Sequence, residues 1–103
     1  MLIVFSGLPG TGKTTLAKDL AATTGAVYLR IDTIEQAIRN SGALAQDVGR
    51  SGYVVANELA LSNLLLGRTV IADCVNPVSE SRVAWSETAS KAGVRLVNIQ
   101  VIC

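Results

Sequence analysis

Residues 7–14 read Gly7-Leu8-Pro9-Gly10-Thr11-Gly12-Lys13-Thr14, and this stretch decides the fold. It matches the pattern G-x-x-x-x-G-K-[ST], which defines the phosphate-binding loop, at every fixed position. The apolar residues 2–5 precede the loop and predict a buried strand, and residues 13–23 follow it with the periodicity of a helix. A strand, a glycine-rich loop and a helix in this order form the setting that the motif requires. The predicted apolar face of the helix consists of Leu16, Ala17, Leu20 and Ala21.

The residue types of the loop point to a bound nucleotide. Glycines allow the backbone to approach a ligand closely, so that successive N–H groups surround a phosphate at the helix N-terminus. Lys13 is expected to reach the β- and γ-phosphates of ATP, the Thr14 hydroxyl to ligate Mg²⁺, and Thr15 to donate to the α-phosphate. A plain glycine turn would need neither Lys13 nor Thr14. The predicted nucleotide contacts are Gly7, Leu8, Pro9, Gly10, Thr11, Gly12, Lys13, Thr14 and Thr15.

Composition narrows the class of protein. The chain has 103 residues, of which 50% are hydrophobic and 17% are charged, so one domain with one core is expected. A net charge of +1 with scattered basic residues argues against a nucleic-acid partner, and no apolar run is long enough to cross a membrane. No secretory signal is visible, and Cys74 and Cys103 are too few for a disulfide framework. We therefore expect a cytoplasmic protein with reduced thiols.

The remaining elements alternate in type. Strands are predicted over residues 26–31, 69–73 and 95–102, helices over 33–40, 53–66 and 79–92, and a loop over 43–51. This β-α-β-α-α-β-α-β order predicts a parallel sheet with helices on its faces. Ligands bind such sheets beyond the carboxyl ends of the strands, where residues 7–14, Asp32 and Asp73 all fall.

Asp73 ends an apolar strand, which is the Walker B arrangement. A carboxylate at this point can hold Mg²⁺ opposite Thr14, directly or through water. The alternative is an aspartate that only starts a turn. The next residue is Cys74, so the Asp-Glu pair of mechanical ATPases is missing.

Asp32 has two interpretations that the sequence leaves open. It could be a base that orients or deprotonates an acceptor hydroxyl near the γ-phosphate. Alternatively, Asp32-Thr33-Ile34-Glu35 fits a capping box, in which Asp32 is the N-cap of the next helix. The roles of Arg30, Arg39, Arg50 and Arg82 are equally open.

The chain resembles a group of small P-loop kinases that includes 5′-hydroxyl polynucleotide kinases, chloramphenicol phosphotransferase and zeta-toxin-like kinases. The resemblance rests on residues 3–17, on Asp32 and on Val70-Ile71-Ala72-Asp73. It implies a P-loop NTPase fold of three layers with strand order 2-3-1-4-5, in which strand one lies between strands three and four. It also implies that Asp32 contacts or activates the acceptor hydroxyl.

Two departures from this group shape the expectations. Many relatives have an arginine where this chain has Glu35, which argues against a phosphorylated or polynucleotide acceptor. Relatives also continue into an arginine-bearing lid, a fifth strand and a helix, so the chain is expected to be a C-terminally incomplete domain. An uncovered fourth strand over residues 95–102 would then be a template for self-association.

The leading function is an ATP-dependent phosphotransferase that acts on a hydroxyl of a small molecule, with Lys13 and Asp32 as its catalytic residues. An ATP-binding module without transfer activity and an AAA-type ATPase are the alternatives. A GTPase is disfavoured because the guanine-reading motif Asn-Lys-x-Asp is missing from the sequence.

Overall fold

The computed structural model describes residues 1–8, 10–42, 50–75 and 79–101. Its sheet contains four parallel strands in the order β2-β3-β1-β4, which confirms the predicted α/β class and the order 2-3-1-4. The strands are β1 (Leu2–Ser6), β2 (Val27–Arg30), β3 (Val70–Cys74) and β4 (Leu96–Gln100). The helices are α1 (Lys13–Thr24), α2 (Ile31–Ser41), α3 (Arg50–Leu65) and α4 (Ser79–Ala92).

The register of the strands brings the predicted site to one edge of the sheet. β1 lies between β3 and β4, and Phe5 of β1 is opposite Asp73 of β3. On the other side of β3, Arg30 of β2 is also opposite Asp73. Because all four strands are parallel, the loop after β1, the end of β3 and the start of α2 meet beyond their carboxyl ends.

The sheet is covered on both faces, as the apolar character of its central strands predicts. One face carries the side chains of Ile3, Phe5 and Ile71, which pack with Ala17 of α1. The opposite face carries the larger cluster, which includes Trp85 and receives α2, α3 and α4. The buried members of that cluster are Leu2, Val4, Ile31, Ala56, Ala60, Leu64, Val70, Ala72, Cys74, Trp85 and Ala89. Three layers result, and of the four described helices only α1 lies on the side that Asp73 faces.

Several predicted boundaries differ from the structure. β2 ends at Arg30 and α2 begins at Ile31, because the Ile31 side chain turns into the larger core and is 2% exposed. α3 begins at Arg50, so the predicted loop is wrong for residues 50 and 51, while residues 43–49 lie outside the described residues. On α1, Ala17 is buried as predicted, but Leu16 is 52% exposed because it lies beside the contact stripe and not within it.

Two further findings bear on partners. Within the described ranges, no helix is both long and apolar enough to cross a membrane. In the described part of the sheet, β4 pairs with β1 only and is therefore an edge strand. Self-association through this edge stays a prediction.

Candidate active site

The loop between β1 and α1 has the backbone conformation that its glycines predict. Gly12 adopts the left-handed conformation, with φ of 85°, at the N-terminus of α1. At Gly7, φ is 151°, and a Cβ atom would lie 2.7 Å from the Val101 carbonyl oxygen. The Thr11 hydroxyl donates to the Leu8 carbonyl at 2.9 Å across the loop. A side chain at Gly7 would therefore clash with the backbone, and one at Gly12 would strain the left-handed conformation although there is space for it. Pro9 lies outside the described residues.

Lys13, the loop lysine, is almost fully buried although it is charged. It is 4% exposed, and its ammonium group donates to Asp73 Oδ1 of β3, 60 residues away in sequence. The Asp73 side chain is itself fully buried. A buried charge is tolerated only when it is paired and hydrogen-bonded. The fold thus places the lysine of one motif directly on the carboxylate of the other.

Asp73 accepts two further hydrogen bonds, both at Oδ2. One comes from the Thr14 hydroxyl at 3.0 Å and the other from the Tyr28 phenol at 2.6 Å. Burial alone would raise the pKa of Asp73, but the hydrogen bonds from Lys13 and Tyr28 and the positive charge of Lys13 outweigh it and lower that pKa. Burial, and then the bond to Asp73, raises the pKa of Tyr28 well above its ordinary value. The cluster therefore consists of an ionised carboxylate that accepts hydrogen bonds from an ammonium group and a hydroxyl group of α1 and from a phenol of β2.

Sequence reasoning missed Tyr28. No motif contains it, and the sequence predicts only that it lies in a strand. Strand alternation carries a signal, since Tyr28 is opposite Ile71 in the β2–β3 register and shares the face on which Asp73 points. Recognising Tyr28 as a partner of Asp73 requires knowing that β2 is hydrogen-bonded to β3 in the sheet.

The donor set fits an Mg²⁺-nucleotide. Thr14 Oγ1 and the Asp73 carboxylate are hard oxygen ligands 3.0 Å apart, which suits a cation that keeps several water molecules. Among the residues that the structure describes, no three or more His, Cys, Asp or Glu side chains are grouped as a metal cage. The backbone N–H groups in the first turn of α1 have no partners within the helix, because no helical turn precedes them. N–H groups of this kind suit a phosphate, and Lys13 lies in the same turn.

Asp32 does not cap α2. The cap position belongs to Arg30, which is extended, and Asp32 lies inside the first turn with an exposed side chain. The capping-box interpretation is therefore wrong, because the helix starts earlier than predicted. Asp32 Oδ2 instead lies 3.6 Å from the Arg30 guanidinium. Arg30 and Asp32 line an open depression of about 420 Å³. The rest of its lining comes from α2 and consists of Thr33, Gln36, Ala37 and Asn40.

The other predicted contacts and open arginines are distributed more widely. Leu8 and Thr15 are exposed at the loop and in the first turn of α1, where contact with a nucleotide stays a prediction. Arg39 is exposed in the last turn of α2, and Arg50 lines a groove between α3 and α4. Arg82 lines a separate cavity of about 310 Å³ whose walls include Ser6 and Cys74.

Cys74 follows Asp73 but faces the opposite side of the sheet. It is 2% exposed within the larger core, close to the indole of Trp85. Burial raises the pKa of the Cys74 thiol to about 12. The residue that replaces the second acid of mechanical ATPases is therefore a neutral core thiol.

The raised pKa of Cys74 predicts a loss of stability at alkaline pH. The pKa of the thiol is about 12 in the folded chain and 9.0 in the unfolded chain. The contribution of the buried neutral thiol to the free energy of unfolding is therefore complete below pH 9 and is lost as the pH rises toward 12. Between pH 9 and 10, the wild type should lose about 1 kcal/mol of unfolding free energy relative to Cys74→Ala. Urea unfolding at both pH values measures this difference. Tyr53, whose pKa burial raises to about 12, contributes only above pH 10. Equal losses in the two proteins would contradict the prediction.

Comparisons with known proteins agree with the fold. A family model described as AAA domain matches residues 2–103. Among solved structures, the chain is similar to a candidate kinase from Chloroflexus aurantiacus, with 22% identity and a TM-score of 0.85 over 98% of this chain and 58% of that one. A sugar kinase from Janibacter sp. gives 21% identity and a TM-score of 0.74, over 98% of this chain and 59% of that one.

A third similar structure is a gluconokinase from Sinorhizobium meliloti, with 21% identity and a TM-score of 0.68, over 95% of this chain and 55% of that one. The chain thus spans less than two thirds of the length of these three proteins. A search of curated proteins gives no match. At these identities, the likeness establishes a P-loop kinase-like fold.

Proposed function

We propose that this chain, which belongs to the AAA domain family, binds ATP with Mg²⁺ as part of a kinase that phosphorylates a hydroxyl group of a small molecule. The observation that carries the proposal is the meeting of Lys13, Thr14 and Asp73 at the carboxyl ends of β1 and β3. Three polar groups from two distant stretches converge on one buried point beside a glycine cradle. A cytoplasmic location is part of the same proposal.

In this proposal, each residue of the cluster has a distinct task. The loop backbone holds the phosphates through its N–H groups, and Lys13 exchanges its bond to Asp73 for the β- and γ-phosphate oxygens. Thr14 and Asp73 would hold Mg²⁺. When bound, the Mg²⁺-nucleotide supplies the phosphoryl group and the counter-charge for its transfer.

Asp32 is the proposed acceptor-side residue. It stands two residues beyond Arg30, which is opposite Asp73, so it belongs to the same edge of the sheet. Its carboxylate would accept the proton of the acceptor hydroxyl as the acceptor oxygen bonds to the γ-phosphorus of ATP, while the bond from that phosphorus to the β–γ bridging oxygen breaks and ADP leaves. The depression beside it is lined by hydroxyl and amide groups, namely those of Thr33, Gln36 and Asn40, which suit a hydroxylated acceptor. The sugar kinase and gluconokinase among the similar structures support this class of substrate.

An ATPase without an acceptor is the second candidate, and the description of the matched family as AAA domain favours it. Against it, the position after Asp73 holds Cys74, which is buried on the opposite face and cannot polarise a water molecule at the phosphates. Incubation with γ-labelled ATP and a metabolite mixture separates the two functions. A kinase transfers the label to a small molecule, whereas an ATPase releases it only as inorganic phosphate.

Replacing Lys13 with methionine should weaken binding of a non-hydrolysable ATP analogue at least about tenfold. Methionine keeps most of the buried stem but removes the ammonium group, whose charge-assisted hydrogen bonds contribute roughly 1.5–3 kcal/mol. Calorimetric titration measures the affinity, in variants shown to be folded by circular dichroism. Lys18→Met, an exposed position on the same helix, is the matched control and should bind like the wild type. Equal affinity of Lys13→Met and the wild type would sink the assignment of the loop.

A further inference from the structure

Among the described residues, the Tyr28 hydroxyl is the one side-chain donor to Asp73 that does not come from the phosphate-binding loop or its helix. It donates to Oδ2 at 2.6 Å, and it is carried by β2, which is hydrogen-bonded to β3. The Tyr28 ring packs against the cluster of Ile3, Phe5, Ala17 and Ile71 beneath α1. Its position is thus fixed by the sheet and by core packing, and it does not depend on the conformation of the loop.

The two oxygens of Asp73 have different partners. Oδ1 accepts from Lys13, whereas Oδ2 accepts from Tyr28 and Thr14. If Lys13 moves to the phosphates, as the proposed function requires, Oδ1 loses its partner and becomes available to a metal ion or its water. Oδ2 stays occupied. Oδ1 is therefore available to the metal, while the hydrogen bonds at Oδ2 hold the Asp73 carboxylate in place.

Thr14 cannot anchor the carboxylate alone. Its hydroxyl is the proposed metal ligand, and it lies on the loop helix that the ligand contacts. A carboxylate held at one oxygen by a single, longer bond is free to rotate about its Cβ–Cγ bond. The shorter bond from Tyr28 prevents this rotation, in the way that outer hydrogen bonds orient the ligands of metal sites.

We propose that Tyr28 is a positioning residue, which holds the Asp73 carboxylate in the orientation needed for Mg²⁺ after Lys13 has left it. This proposal rests on the proposed function, because it assumes an Mg²⁺-nucleotide at the loop. Tyr28 itself touches neither metal nor nucleotide. Its effect should therefore be confined to the part of nucleotide affinity that Mg²⁺ adds.

The test compares affinity for a non-hydrolysable ATP analogue with and without Mg²⁺, the latter in EDTA, by calorimetry. For Tyr28→Phe, the gain in affinity on adding Mg²⁺ should shrink about tenfold, while the affinity in EDTA stays that of the wild type. Tyr28→Leu also lacks the hydroxyl and should lose the same gain, although it removes packing as well. Tyr53→Phe makes the same chemical change on α3, on the opposite face of the sheet, and should keep the full gain.

Each outcome decides one question. If the wild type shows no Mg²⁺-dependent gain, the proposed function fails and the role of Tyr28 fails with it. If the wild type shows the gain and Tyr28→Phe retains it, only the role of Tyr28 is overturned. A loss of equal size with and without Mg²⁺ would mean that Tyr28 merely supports the loop, and this too overturns the proposal.

Discussion

Phosphotransfer should fall roughly 10²- to 10⁴-fold when Asp32 is replaced with asparagine, whereas affinity for the ATP analogue should stay near that of the wild type. This range is the usual contribution of a general base to an enzymatic rate. Asparagine has almost the same size and can hydrogen-bond to an acceptor, but it cannot take up the hydroxyl proton. The measurement is the initial rate of label transfer from γ-labelled ATP, in a protein that carries this chain, to the acceptor found in the metabolite screen.

The structure makes Asp32→Asn a clean substitution. The side chain is exposed, and its pairing with Arg30 at 3.6 Å joins two exposed groups, which contributes little to stability. Asp32 is not the cap of α2, so no capping interaction is lost. A large change in rate would therefore reflect chemistry at the acceptor and not a change in folding.

Asp19→Asn is the matched control for Asp32→Asn. Asp19 is an exposed aspartate on α1, and its replacement changes the net charge by the same amount. Transfer by the Asp19→Asn protein should match the wild type. If the Asp32→Asn protein also transfers phosphate at the wild-type rate, Asp32 is an ordinary surface carboxylate and the acceptor site lies elsewhere.

The central part of the site could be predicted because it is encoded in contiguous sequence. The glycines and Lys13-Thr14 form one uninterrupted motif, and Asp73 follows three contiguous apolar residues in β3, one residue before that strand ends. The alternation of strands and helices placed the loop and Asp73 at one edge of a parallel sheet, and the strand order followed from resemblance; the direct bond between Lys13 and Asp73, 60 residues apart, is a finding of the structure. Where the local sequence pattern and the sheet topology agree, the sequence is sufficient to predict which residues form the site.

The parts that could not be predicted depend on tertiary packing. The start of α2 is set by Ile31, which enters a core that α3 and α4 complete, and no local signal competes with the capping pattern that begins at Asp32. Leu16 is exposed because the contact stripe of α1 on the sheet is narrower than its apolar face. The bond from Tyr28 to Asp73 depends on which strand neighbours β3, which is a property of the whole sheet.

Replacing Asp73 with asparagine should lower the free energy of unfolding by about 3–5 kcal/mol at neutral pH, which is the usual effect of removing one partner from a buried ion pair. Asparagine fills the same space, but it leaves the Lys13 ammonium group, with a side chain only 5% exposed, without a counter-charge. Urea unfolding followed by circular dichroism measures the change. The exposed pair gives an internal control, since Asp32→Asn should change the unfolding free energy by less than about 1 kcal/mol.

Acidification gives a second measurement of the same pair. The pKa of Asp73 is lowered in the folded chain, because its bonds from Lys13 and Tyr28 outweigh the opposing effect of burial. The stabilisation it provides is therefore complete above the unfolded value of about 3.9, and it is lost as the pH falls below that value toward the folded pKa. The wild type should lose this contribution in acid, and Asp73→Asn should have none to lose, so the two stabilities should converge. If the difference at neutral pH is below about 1 kcal/mol, or if it does not narrow in acid, Lys13 and Asp73 do not form the buried pair on which the apo site depends.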